Sequence, residues 1–255
     1  MIPSSSSFSI KRALAFGRLY QPTLGRMIMI YPAISFALTV LTIFLGCSKT
    51  GVPFIALVSL VVSFMIYFSP LVFVAGGDPV IETMLPAKGS EKAWFMIVCS
   101  LLLFPTLVWI PQQIIEWIAN WLNPAILADN YFYNLRNELG EHSMVVSYLQ
   151  ILVPTATCLA TVARERRRRI VTPVIWTLVS IAGLAIAGMA VGFVKFFKIG
   201  MDHARMGLDP YDTEEINRLV HGELNTILSI LAVMCVVYII VMGYISYSNI
   251  SKRQI

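Results

Sequence analysis

Six stretches of this chain, 27–45, 52–75, 93–115, 144–163, 170–194 and 227–247, each run for 19–25 residues without a Lys, Arg, Asp or Glu. A backbone buried in hydrocarbon must satisfy its own hydrogen bonds. A helix of about 20 residues does so while crossing the ~30 Å core of a bilayer with some tilt. Membrane strands would need alternating segments of about ten residues, and no such alternation runs through these stretches. Composition agrees: 57% of the 255 residues are apolar and only 13% charged, against about 25% charged in soluble domains. Mean hydropathy is +0.75. A soluble globule of this size cannot hide that much apolar surface, and a disordered chain does not carry it. The expected fold is all-α: a polytopic membrane protein in which residues 27–255 form a six-helix transmembrane domain and residues 1–26 a basic cytoplasmic segment.

The basic residues set the orientation. With the N-terminus inside, the inner segments hold 13 Lys and Arg and the outer segments 6, and five arginines crowd the single loop 164–169. That is the positive-inside pattern, and six spans return the C-terminus to the cytoplasmic side. Arg164, Arg166, Arg167, Arg168 and Arg169 serve topology and present a surface for anionic lipid head groups. The net charge of +5 would point to nucleic acid in a soluble protein. Here the charges flank spans, so no nucleic acid partner is expected. In residues 1–26, Phe8, Ile10, Leu14, Phe16 and Leu19 interleave with Lys11, Arg12 and Arg18, as in an amphipathic helix on the inner leaflet.

Several motifs of catalytic appearance lead nowhere. Cys47, Cys99, Cys158 and Cys235 lie far apart within or beside apolar runs and read as small hydrophobes, not as a zinc site or disulfide framework. Residues 44–47 resemble a lipoprotein box but sit too far from the N-terminus. Residues 46–51 have phosphate-loop residue types in the wrong order, and no GxxxxGK[ST] occurs, so any ATP is bound by another chain. Glu214, Glu215 and Arg218 with His221 and Asn225 come close to an intramembrane protease pattern. The arginine is one residue short, which turns it about 100° around a helix. Asp212 as N-cap with Glu215 at the third position explains the same residues as a helix start. The acidic stretch 199–223 lacks metal-ligand spacing and reads as a solvated loop. No metal site and no enzymatic activity are expected; a membrane hydrolase using Glu215 and His221 ranks last among the functions considered. Because no span contains an ionisable residue, a carrier with its own proton relay is also disfavoured. Prolines 32, 53, 70, 105, 111, 154 and 173 lie in or at the ends of spans, where neighbouring helices can re-satisfy the freed backbone. Gly188 and Gly192 form a GxxxG, read as a site of close helix packing. Trp109, Trp117 and Trp121 with Tyr131, Phe132 and Tyr133 read as an interfacial aromatic belt.

The loop between the second and third spans carries the remaining signal. Asp78 followed by Pro79 is a helix start, Val80, Ile81, Met84 and Leu85 share a side, and Pro86 ends the turn; a second helix start is expected at Ser90. With Glu82, Thr83, Met84, Leu85, Pro86, Ala87, Glu91 and Lys92, the loop resembles the LLPxSxxE/K stretch at this position in the membrane subunits of bacterial ABC-2-type transporters, departing from it at Lys88 and Gly89. The basic N-terminal segment, the arginine loop and the polar C-terminal end fit the same family. The resemblance implies a permease subunit of an ATP-driven exporter in the plasma (inner) membrane, with no cofactor of its own. It implies a separate P-loop ATPase subunit that binds ATP and docks on Asp78, Pro79, Ile81, Glu82, Leu85 and Pro86. It also implies a second permease, as homodimer or heterodimer, since six spans make half a pore. The competing reading is a non-transporting scaffold or assembly protein that binds partners or anionic lipid.

Overall fold

The computed structural model describes residues 8–45, 52–75, 87–122, 141–164, 170–206 and 213–252, and all regular structure among them is helical. Helix α1 (Ile10–Gly17) continues through a 3₁₀ turn (Arg18–Tyr20) into α2 (Gln21–Leu45). Helix α3 (Val52–Tyr67) is followed by a 3₁₀ turn (Ser69–Leu71) and the short α4 (Val72–Ala75). Helix α5 (Gly89–Val98), a π turn (Cys99–Leu103) and α6 (Phe104–Leu122) form one continuous rod. Then come α7 (Glu141–Arg164), α8 (Val171–Met206) and α9 (Thr213–Ser251). All six apolar runs are helical along nearly their whole length. Among the described residues, four stretches, Ile10–Ile43, Gly89–Leu122, Val171–Val194 and Thr226–Ser251, are long and apolar enough to cross a membrane.

The two other expected spans are the most enclosed or the most broken. Helix α7 is central, packed against α3, α8 and α9, and its residues 152–160 are all buried. The run 52–75 breaks at Phe68 because Pro70 has no N–H to offer the Ile66 carbonyl four residues back. Other helices repair that end of α3. Thr155 Oγ1 on α7 lies 3.3 Å from the Ile66 carbonyl and 3.0 Å from that of Ile151, sharing one proton between them. The Tyr31 hydroxyl on α2 donates to the Met65 carbonyl at 3.0 Å. These are the orphan acceptors of a helix end, answered by side chains where no water is at hand. In the run 93–115, Pro105 withholds a donor from the carbonyl of Leu101, and the backbone before it widens into the π turn. The Ser35 hydroxyl then braces this rod from α2, donating to the Val108 carbonyl at 2.6 Å.

Several details depart from expectation. Helix α5 begins at Gly89 rather than Ser90, because Glu91 at its third position accepts the Lys88 N–H at 3.0 Å, half of a capping box. The stretch 199–223 is helix rather than loop, apart from 207–212, which lies outside the described residues. Once a helix is formed, each added residue gains a hydrogen bond, and no proline interrupts the chain between Pro173 and Pro210. Among the described residues nothing packs on the GxxxG: a Cβ at Gly188 or Gly192 would meet no described atom within 4 Å. Helix α8 leaves a broad apolar surface exposed, including Trp176, Ile186, Met189 and Phe193, and the two glycines lie on open backbone among these residues. Trp117 and Trp121 are exposed near the end of α6, as a belt requires; Tyr131, Phe132 and Tyr133 lie outside the described residues.

Candidate functional site

A salt bridge between Arg12 and Glu91 joins α1 to α5, close to where the described chain stops at Ala75 and resumes at Ala87. In α1 and its continuation, Ala13, Phe16, Gly17, Tyr20 and Leu24 are buried, the i, i+3, i+4 spacing of a packed helical face. Phe8, Ile10, Leu14, Lys11 and Arg18 are exposed, a mixture of apolar and basic groups suited to a head-group layer. The helix expected on the leaflet therefore has a second, protein-facing side that composition did not reveal.

Glu91 lies at the centre of the contact and is fully buried, although it sits only two residues before the apolar run. Its Oε1 accepts the Ser9 backbone N–H at 2.8 Å and Arg12 Nη2 at 2.7 Å. Arg12 Nε lies 3.1 Å from both carboxylate oxygens, and the Lys88 N–H reaches Oε2 at 3.0 Å. Arginine's planar fork suits such a carboxylate, and the two backbone donors fill positions that would otherwise carry a burial penalty. Next to it, the Lys92 ammonium stands 5.6 Å from the centre of the Phe16 ring, a cation–π contact.

An aromatic chain continues inward from this polar knot. Phe16 meets Tyr20 and Phe95 edge to face, Tyr20 meets Phe73, and Phe73 meets Phe95. Phe8 closes the outer end against Trp94 with ring centres 5.9 Å apart. Two glycines permit the close approach. A Cβ on Gly17 would lie 2.5 Å from the Phe95 ring, and one on Gly89 would lie 2.7 Å from the Ser251 backbone. The junction thus ties together α1, the end of α4 through Phe73, the start of α5, and the last turn of α9 through Ile250 and Ser251.

Of the residues expected to dock a partner, Asp78, Pro79, Ile81, Glu82, Leu85 and Pro86 lie outside the described residues. Their flanks do not: Phe73 is buried on one side, and Ala87 and Glu91 on the other. Arg164 is exposed at the end of α7, and Arg166, Arg167, Arg168 and Arg169 lie outside the described residues. Arg12 and Glu91 were legible only as topology and motif residues. The one hint was an acidic residue three positions after Lys88, where a helix start wants one. No protein-family model, no curated protein and no solved structure matches this chain.

Proposed function

We propose that this chain is the membrane-spanning permease subunit of an ATP-driven ABC-2-type exporter, with six spans and both termini cytoplasmic in the plasma (inner) membrane. It has no chemistry of its own; ATP is bound by a separate P-loop ATPase subunit, and a second permease completes the pore. The observation that carries the reading is the anchoring of both flanks of 76–86 in one buried junction with α1 and the end of α9. A lever works only if its base is stiff. A push on residues 76–86 would be passed through Phe73, Glu91 and Arg12 to three spans at once, the kind of rigid-element displacement that drives domain-scale switching. The absence of ionisable residues from all six apolar runs agrees with an energy source on another chain.

The exposed Arg164 at the end of α7 favours a second reading, a scaffold that holds anionic lipid or partner proteins at this surface. Two substitutions separate the readings. In the exporter, Glu82→Lys and Ile81→Pro each abolish co-isolation of the ATPase, while helical content and gel-filtration volume stay unchanged. Association retained in both variants contradicts the coupling assignment.

A further inference from the structure

Between α3, α6 and α7 the bundle leaves a cavity of about 210 Å³ lined by Val62, Ser63, Ile66, Pro105, Val108, Trp109, Gln112, Tyr148 and Ile151. The irregular backbone around it accounts for its presence. Pro105 follows the π turn in the run 93–115, and the end of α3 is unwound just beyond Ile66, so these helices do not close on one another as regular rods would. The walls are nonetheless fixed. Val62, Ile66 and Val108 are buried, the Val108 carbonyl is held by Ser35, and the Ile66 carbonyl by Thr155. Trp109 and Tyr148 meet at 6.5 Å between ring centres, tilted 61°, and form an aromatic wall.

The lining defines what fits. It presents apolar surface from six aliphatic, proline and indole side chains and three neutral polar groups: a serine hydroxyl, a carboxamide and a phenol. Among the described lining residues none is Asp, Glu, Lys, Arg or His, so a charged guest would lose its hydration without gaining a counter-charge from them. A dry cavity of about 150 Å³ is enough for benzene; this one is larger and has a polar rim, but is too small for a two-chain lipid. We infer that the cavity is a binding site for a small neutral amphiphile, an aliphatic or aromatic body carrying one hydroxyl or carbonyl group. The body lies against Val62, Ile66, Val108 and Trp109, and its polar group bonds Gln112 or Tyr148. The site lies within a single chain and needs neither ATP nor a second copy, so its test is independent of the exporter reading.

The probe is an eight-carbon alcohol bearing a diazirine, photoactivated on the full-length protein in detergent, with adducts mapped by mass spectrometry. Saturable labelling confined to the lining residues is expected. Unlabelled octanol should compete and dioctanoylglycerol should not. Gln112→Leu should raise the half-saturating concentration about fivefold, the loss of one neutral hydrogen bond. Two variants that fill the space, Ile151→Trp and the milder Ser63→Leu, should remove the labelling while retaining the wild-type circular dichroism. Labelling that fails to saturate, spreads over the exposed Trp176 and Phe193 face, yields only to dioctanoylglycerol, or persists in a folded filled variant overturns the site. The adduct map on the unaltered protein decides the matter even where both filled variants misfold.

Discussion

Glu91 and Thr155 show how single polar side chains hold an apolar bundle together. Glu91 gathers two backbone N–H groups and the Arg12 guanidinium. Thr155 answers a carbonyl orphaned by a proline on another helix. Replacing Glu91 with Ala strips the Ser9 and Lys88 amides of their acceptor. At ~1 kcal/mol for each lost backbone bond, and ~2–4 °C per kcal/mol for a domain of this size, thermal unfolding in detergent should fall by ~4–8 °C. Lys11→Ala, at an exposed position one residue from Arg12, should leave the midpoint where it was. An unchanged midpoint in Glu91→Ala would mean that the junction contributes nothing to holding α1. Neither pairing was legible in the sequence. Pro70 announces that a carbonyl will lack its donor, but nothing local to it indicates that a threonine 89 positions after that carbonyl's residue supplies one. Arg12 and Glu91 are 79 positions apart, beyond any helical or strand spacing rule.

At the scale of elements, hydropathy located the six helical runs well and their ends poorly. Apolar composition marks where a chain meets lipid or protein core, whereas a helix ends where a proline, a cap or a competing bond stops it. Helices α8 and α9 therefore run to Met206 and from Thr213, well past the apolar runs, and the 52–75 run breaks at Pro70 although its hydropathy is unbroken. The continuous α1–α2 rod shows the same difference: charge pattern separated residues 1–26 from the first span, yet the backbone stays helical between them. The GxxxG of α8 stays unpacked among the described residues because the motif permits close packing without requiring it. Gly188 stands in open space, so Gly188→Ala should stabilise the purified single chain by ~0.5–1 kcal/mol through helix propensity alone. Chemical unfolding in detergent measures this, and destabilisation there would place another helix against that face.

For the molecule as a whole, one end of the bundle gathers the N-terminal helix, the last turn of α9 and both flanks of residues 76–86 around the Arg12–Glu91 pair, with Leu159 and Ala163 near the end of α7 in the same cluster. The all-helical fold and the membrane character were readable from composition and run length. The junction was not, because it is assembled from four segments far apart in the chain, and the residues expected to dock a partner lie just beyond its described edge. In the proposed exporter, force enters from an ATPase at this end and is delivered to the helices above. The most direct test is isolation of the tagged, unaltered protein from its native membrane in mild detergent after crosslinking, with mass spectrometry of the proteins that accompany it. A P-loop ATPase in stoichiometric amount is the predicted result. A protein accompanied only by lipid or by proteins without an ATPase fold would contradict the exporter and leave the scaffold reading in its place.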